Sequence, residues 1–358
     1  MQNLLSKSPF RQHRRITRRY IFFALGYTLV LSTILFGCHK PENKTQSQVL
    51  SSNSKNKVVR IVRSKQLTAL AVLEKQGNLQ KRLQSLGYKL EWPEFAAGPQ
   101  QLEALNAGNL DIASTAESPP IFAQAAGTPL VYLSANSPDP KAVSLLVPLN
   151  SPIKSVRDLK GKKVAFQKAS IGHYLLVKAL EKEGLKLTDV KSVYLPPPDA
   201  NVAFSQGKVD AWFIWEPFVT RNVQKKIGRV LIDGSNLRDS NNFYSTSRQF
   251  YQENKEVIKV FLEELQKAQI WSKNHPKEMA QLLAPVTQLD VQTLEKMHSK
   301  YQFELVPITE KIIKKQQEVA DKWYSLGLIP KRVNVRDGFL TPEQYAEITP
   351  KDILAKNN

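Results

Sequence analysis

Two stretches decide how this chain is read: "LEALNAGNLDIASTAESPP" at 102–120 and "NVAFSQGKVDAWFIWEPF" at 201–218. Gly108 recurs as Gly207, Asp111 as Asp210 and Glu117 as Glu216, each pair 99 residues apart. In each copy a helical run stops on the glycine, the residue that most easily takes the left-handed conformation closing a helix. A short apolar strand then opens at the aspartate, and a new helix opens near the glutamate. A single copy is a common turn between helix and strand. Two copies, each with an acid at the same offset, predict two related α/β lobes.

The flanking sequence alternates in the same way. "KVVRIVRS", "YKLEWPEF", "LDIAST" and "PLVYLSA" read as strands, separated by helical runs such as "LTALAVLEKQGNLQKRLQSLG" and "GPQQLEALNAG". A second series starts near residue 142 with "AVSLLVP" and "KKVAFQ", followed by the amphipathic run "SIGHYLLVKALEKEG". Strands alternating with helices predict mostly parallel sheets. From 241 onward the pattern is mainly helical, as in "ITEKIIKKQQEVADKWYSLGLIP". The expected organisation is a first lobe at 57–141, a second at 142–240 and a helical return to the first at 241–335. A C-terminal tail occupies 336–358, and two chain crossings between lobes act as hinges. Strand carboxyl ends and helix amino ends then line an interlobe cleft, where ligands of open α/β sheets bind.

The N-terminus reads as an export signal. "RQHRRITRRY" is basic, and "YIFFALGYTLVLSTILFG" carries no charge across 18 residues. The only cysteine, Cys38, comes next in "LFGC". Leu35 and Gly37 before it resemble a bacterial lipobox, in which the cysteine is lipidated and becomes the mature first residue. "TRRYIF" also resembles a twin-arginine signal. An uncleaved membrane anchor is the other reading, since the apolar run nearly spans a bilayer. Residues 38–56 are polar without an apolar period and read as a flexible tether.

Formal charge is +19; removing residues 1–37, with six Lys/Arg and no acids, leaves +13. The remaining basic residues are scattered among acids. That suits a field attracting small anions better than a nucleic-acid surface. With Cys38 on the anchor, no thiol remains for a nucleophile or a disulfide. His13, His39, His173, His275 and His298 do not lie at metal-ligand spacing. No nucleophile elbow, Walker or dinucleotide motif occurs, so neither a metal nor a cofactor is expected and an enzyme has little to work with.

Three segments carry a specific resemblance: "WPEFAAGPQQLEALNAGNLDIASTAESPPIFAQAAG", "SPIKSVRDLKGKKVAFQKASIGHYLLVKALEKEGL" and "VYLPPPDANVAFSQGKVDAWFIWEPF". The chain resembles the periplasmic aliphatic-sulfonate-binding proteins of ABC importers, within the nitrate/sulfonate/taurine-binding family, over about residues 57–335. "GPQQLEAL", "ESPPIFAQAAG" and "LPPPDA" point to the sulfonate subgroup, whereas "DLKGKKVAFQ" points only to the fold. The resemblance implies a two-lobed Venus-flytrap fold of the type II periplasmic-binding class and a monomer. It also implies a small organic anion, an alkanesulfonate, as ligand, and a membrane permease with its ATPase as partners. Taurine, nitrate and bicarbonate are the rival ligands. A pyrimidine-synthase-like enzyme and a sensor without transport are rivals of other classes. The chain departs from the family pattern at Ala169-Ser170, usually Gly-Ser, and at Arg63-Ser64-Lys65, usually Tyr-Gln-Lys.

The expected site is set by the needs of a sulfonate: donors for three oxygens and an apolar wall for the tail. In "QKASIGH", Gln167 heads the loop, Ser170 caps the helix and donates, and the amides of Ile171 and Gly172 face the anion. Plain capping is the other reading of Ser170. His173 either donates to the anion or finishes the first turn. Ser114 and Thr115 end a first-lobe strand and Ser118 starts the next helix. Lys65 is either a charge partner or a solvated lysine. Strand alternation puts Trp212 and Ile214 on one face and Phe213 and Trp215 on the other. Trp215 is the aromatic candidate for the tail, with Phe213, Pro119 and Pro120 beside it. Glu216 either favours its own helix or pairs with a ligand amine.

If Cys38 is acylated, Cys38→Ser is expected to release the protein from membranes or to block signal cleavage. Fractionation checks this, and a variant still processed and membrane-bound refutes the lipobox reading.

Overall fold

The structure is a computed structural model describing residues 57–357; the export signal, Cys38 and the tether lie outside the described residues. The strands are β1 Lys57–Arg60, β2 Tyr88–Glu91, β3 Ile112–Thr115, β4 Leu130–Asn136, β5 Val143–Pro148, β6 Lys163–Phe166, β7 Lys191–Tyr194, β8 Ala211–Trp215, β9 Gly228–Asp233, β10 Asn242–Ser247 and β11 Leu305–Val306. One sheet has the order β11-β4-β10-β3, a second β7-β6-β8-β5-β9, and β1 pairs with β2. A parallel bridge between Ile61 and Ile112 ties β1 to β3. The chain passes between the two larger sheets at 137–142 and again at 234–241.

The sheets are mixed rather than mostly parallel. β6 pairs in parallel with β7 and β8, but β5 is antiparallel to β8 and β9, and β10 is antiparallel to β3 and β4. The antiparallel strands β5 and β10 are those that the two crossings deliver. Each enters its sheet from the other lobe and wedges between a parallel pair. The result repeats: β10 lies between β3 and β4, and β5 lies between β8 and β9. Alternation of helices and strands records only the order of neighbouring elements and is blind to an insertion from far along the chain.

The duplicated sequence makes duplicated structure. Helices Gly98–Asn106 and Pro197–Ser205 precede β3 and β8, and helices Ser118–Ala125 and Phe218–Gln224 come after them. Gly108 and Gly207 have φ of 71° and 66°. Each closes its helix with paired bonds, Gly108 N to Leu105 O with Asn109 N to Ala104 O, and Gly207 N to Phe204 O with Lys208 N to Ala203 O. A side chain there would meet the steric cost of the left-handed region. The aspartates do the same work in both copies. Asp111 Oδ2 accepts from Arg60 N at 2.7 Å and Asp210 Oδ2 from Lys163 N at 2.7 Å. Each carboxylate thus satisfies a backbone donor of the neighbouring strand, and clamps β1 to β3 and β6 to β8. Burial raises the Asp111 carboxyl above its ordinary pKa, against the pull of the Arg60 amide and guanidinium.

Packing separates the faces as alternation predicts. Trp212 and Ile214 join Leu146, Phe204 and Val219 on one side of the β8 sheet, whereas Phe213 enters the main core. The long run after Leu67 is two helices, Ala69–Gln76 and Asn78–Ser85, broken at Gly77 with φ 70°. The C-terminal residues are built into the first sheet's core. Phe339 stacks on Tyr132 at 4.2 Å, and Tyr345 Oη donates to Tyr132 O at 2.8 Å. Among the described residues no helix is long and apolar enough to cross a membrane.

Because both aspartates satisfy strand amides, Asp111→Ala and Asp210→Ala are each expected to destabilise by about 1–3 kcal/mol. The more buried Asp111 should cost more. Urea unfolding with an unchanged m-value checks this; equal stability for both variants and the parent would refute the clamp.

Candidate functional site

The cleft holds a cavity of about 280 Å³. Its wall is a ring of helix starts. Thr68 caps helix Ala69–Gln76, Ala97 and Gly98 open Gly98–Asn106, and Pro119 lies in the first turn of Ser118–Ala125. From the other lobe come Ser170 and Ile171 at the start of helix Ile171–Lys182, Pro198 in the first turn of Pro197–Ser205, and Pro217 and Phe218 at the start of Phe218–Gln224. The leading amides of a helix lack intrahelical acceptors, and the dipole's positive end lies there. Gly98 matters for approach: a Cβ on it would lie 2.8 Å from Pro119 Cγ and 3.3 Å from Thr115 Cγ2. A glycine is therefore what lets that helix start sit against the end of β3.

The cations beside the cavity already have partners. Arg63 Nε donates to Glu74 at 2.9 Å, and Lys65 Nζ lies 2.6 Å from Glu94. Arg238 is buried, donates to Asn242 Oδ1 at 2.5 Å and to Asp139 O at 3.3 Å, and has Glu117 Oε2 at 3.7 Å. Burial pushes the Asp139 carboxyl up, against the Arg238 charge and the Gln302 amide. Three buried donor atoms of lining residues have no hydrogen-bond partner among the described residues: Thr115 Oγ1, Arg238 Nε and Tyr301 Oη. The same lining carries carbon surface, from Phe95, Trp215, Phe218, Tyr244 and the prolines. The arrangement offers helix dipoles, unpartnered donors and carbon surface within one cavity. Among the described residues no group of three or more His, Cys, Asp or Glu is placed to hold a metal.

The cavity gathers six of the residues expected from sequence: Lys65, Ser114, Thr115, Ser170, Ile171 and Trp215. Five others do not line it. Ser118 is buried, donates to Glu117 Oε1 at 3.2 Å and accepts from Trp323 Nε1 at 3.3 Å. Gln167 lies beyond the lining, and its carbonyl accepts the Ser170 hydroxyl at 2.7 Å. The Ser170 hydroxyl in turn accepts from His173 N at 3.5 Å, so its side chain is occupied as a helix cap. Gly172 packs where a Cβ would meet Phe213 O at 2.8 Å. His173 is fully buried, stacks on Phe166 at 4.7 Å and accepts from Ala169 N at 3.3 Å. Burial, helped by the Lys168 charge, lowers its pKa to about 3. The imidazole is thus neutral in the fold, and its burden on stability grows as pH falls from the unfolded value of 6.5 toward 3.

Glu216 has 0% exposure. It accepts from Thr220 N at 3.0 Å and Thr220 Oγ1 at 2.9 Å, and pairs with Lys300. Its carboxylate is consumed within the protein rather than offered to a ligand amine. Phe213 is core, and Pro120 is buried outside the cavity lining. Ala169 has φ 61°, which accounts for the glycine usual at that position; alanine there accepts a strain of about 1–2 kcal/mol. Sequence reading missed Arg238, Asn242, Tyr244 and Tyr301, of which Arg238 lies in the second crossing and the others beyond it. It also missed Phe95, whose only signal was an aromatic residue at the end of "WPEF".

The NMT1-like family matches residues 59–287. A relative from Escherichia coli (strain K12), named for binding aliphatic sulfonates, is 42% identical over 257 residues, covering 72% of this chain and 81% of the relative. The alkanesulfonate-binding protein SsuA from Xanthomonas axonopodis pv. citri, solved bound to MOPS, superposes with a TM-score of 0.75 at 36% identity, covering 79% of this chain and 98% of that one. The periplasmic aliphatic sulphonate binding protein SsuA from Escherichia coli does so with a TM-score of 0.71 at 39% identity, covering 80% and 92%. The family match spans elements of both large sheets, and the chain belongs to the NMT1-like family, among its aliphatic-sulfonate-binding proteins.

Proposed function

We propose that this protein is the substrate-binding component of an ABC importer and captures aliphatic sulfonates in the interlobe cavity. The observation carrying this reading is the mixed lining of the cavity, in which helix amino ends and unpartnered donors stand together with aromatic and proline side chains. A sulfonate is a permanent monoanion with three acceptor oxygens and a carbon tail, which matches both the donors and the carbon surface of that lining. Nitrate and bicarbonate would leave the carbon surface unused. Taurine adds an ammonium, and Glu216, the carboxylate expected to receive it, is already paired with Lys300. The likeness to binding proteins at 36% identity and above favours capture over catalysis.

Delivery to a membrane permease, driven by a separate ATPase, completes the function. The protein works on the periplasmic side, held through acylated Cys38 with residues 38–56 as tether, and acts as a monomer. The lipobox-like "LFGC" after a basic and then an apolar run supports this anchoring.

Two measurements test the reading. Affinity is expected to rise from methane- to pentanesulfonate, because tail burial contributes about 0.8 kcal/mol per methylene. Trp215→Ala should flatten that rise. Calorimetry on both proteins checks it, and a flat series in the parent with tight nitrate or bicarbonate binding overturns the sulfonate assignment. Ser170→Ala should lower stability by about 1 kcal/mol with and without ligand, since the hydroxyl caps the helix. A loss confined to the liganded state would show instead that the hydroxyl reaches the anion.

A further inference from the structure

The loop between helix Val291–His298 and β11 reaches the cavity from its hinge side. Three contacts hold it there. Lys300 pairs with the buried Glu216, at the carboxyl end of β8 in the other lobe. Gln302 N donates to Asp139 Oδ1 at 2.8 Å, on the first crossing. Ser137, also on that crossing, donates from N to Glu304 O at 3.0 Å and from Oγ to Glu304 Oε2 at 3.1 Å. The loop is therefore a noncovalent tie between the lobes beside the two covalent crossings. Phe303 takes φ 48° within it and stacks on His298 at 4.4 Å.

Tyr301 sits between these anchors and lines the cavity. Its hydroxyl oxygen is buried and has no partner among the described residues. An orphaned buried hydroxyl costs about 1–3 kcal/mol unless a water or a ligand accepts from it, and this one belongs to a residue of the cavity lining. Burial, with the Glu216 and Asp139 carboxylates adding to it, holds the phenol well above its ordinary pKa. It is therefore a permanent donor, and a sulfonate offers acceptors only.

We infer that Tyr301 is a ligand-contacting, specificity-determining residue whose hydroxyl donates to an oxygen of the bound oxyanion, with Lys300 and Gln302 as the positioning residues that hold it. The inference rests on the sulfonate reading above for the identity of the anion. It also gives Lys300 and Glu216 a role: their ion pair sets the tyrosine against the end of the strand that carries Trp215.

The test is Tyr301→Phe, which removes one oxygen and keeps the ring. Affinity for methanesulfonate and for pentanesulfonate should fall by the same factor, about 10- to 100-fold, as expected for a hydrogen bond to a charged group. The melting temperature of the ligand-free protein should stay level or rise, because an unpartnered buried hydroxyl is lost. Lys300→Met should weaken binding as well, and Lys300→Arg should restore most of it. Unchanged affinity in Tyr301→Phe overturns the proposal. So does a loss that grows with tail length, which would make the residue part of the apolar wall. If the unmutated protein binds no sulfonate, the sulfonate reading fails on its own. The same pair of proteins titrated with nitrate and with bicarbonate then decides Tyr301, and a parent that binds neither overturns it too.

Discussion

The cleft depends on two carboxylates that have been taken wholly out of water. Glu117 and Glu216 both have 0% exposure, and each stands where a strand's carboxyl end turns into the next helix. An isolated carboxylate in such a place costs several kcal/mol, so each must be matched. Glu216 is matched by Lys300 and by two bonds from Thr220, while Glu117 has Arg238 at 3.7 Å and the Ser118 hydroxyl at 3.2 Å. The matching cations do not come from the same turn. Arg238 arrives on the second crossing, and Lys300 comes from the loop before β11. Neutralising these acids therefore pins the rear of the cleft, and the walls that flank each acid, Pro119 on one side and Trp215 on the other, are placed as a consequence.

That arrangement bears on how an anion is held. The lysine and arginines nearest the cavity have carboxylates beside them that offset their charge, so helix amino ends add to the positive potential that an anion meets there. Fixed dipoles bind a monoanion without the deep trap of a bare buried charge, which suits a protein that must also release its cargo. The apolar wall adds affinity in proportion to buried tail, independently of the headgroup. Headgroup and tail are thus read by different groups, amides and hydroxyls for one and aromatic and proline side chains for the other, several of them on the same helix starts.

The legibility of the sequence divides along the same line. The 99-residue repeat was plain in the chain, and each of its members has a physical duty, local for the glycines and reaching other segments for the acids. A glycine in the left-handed region is a need of the turn that holds it, whereas the aspartate answers an amide of a neighbouring strand and the glutamate a distant cation. Trp212 and Trp215 were separable because strand alternation is a local rule. His173 and Gly172 were placed on the right helix, but neither lines the cavity, and the structure favours the other reading of His173, a residue of the helix's first turn. Whether the first turn of a helix faces a ligand or a neighbour is set by what packs on it, here Phe166, Trp323 and the carbonyl of Phe213.

The chain by itself therefore determined the two α/β lobes, the ring of helix amino ends and the aromatic at the end of β8, since periodicity, turn chemistry and capping act over a few residues. Only the tertiary structure decided the mixed pairing of the sheets, the cations that answer Glu117 and Glu216, and the entry of Arg238 and Tyr301 into the cavity. Those depend on segments separated by 84 positions in the case of Glu216 and Lys300. Contacts across such distances leave no period in the sequence, because what selects them is the desolvation cost of a buried charge, and that cost exists only once the lobes have come together.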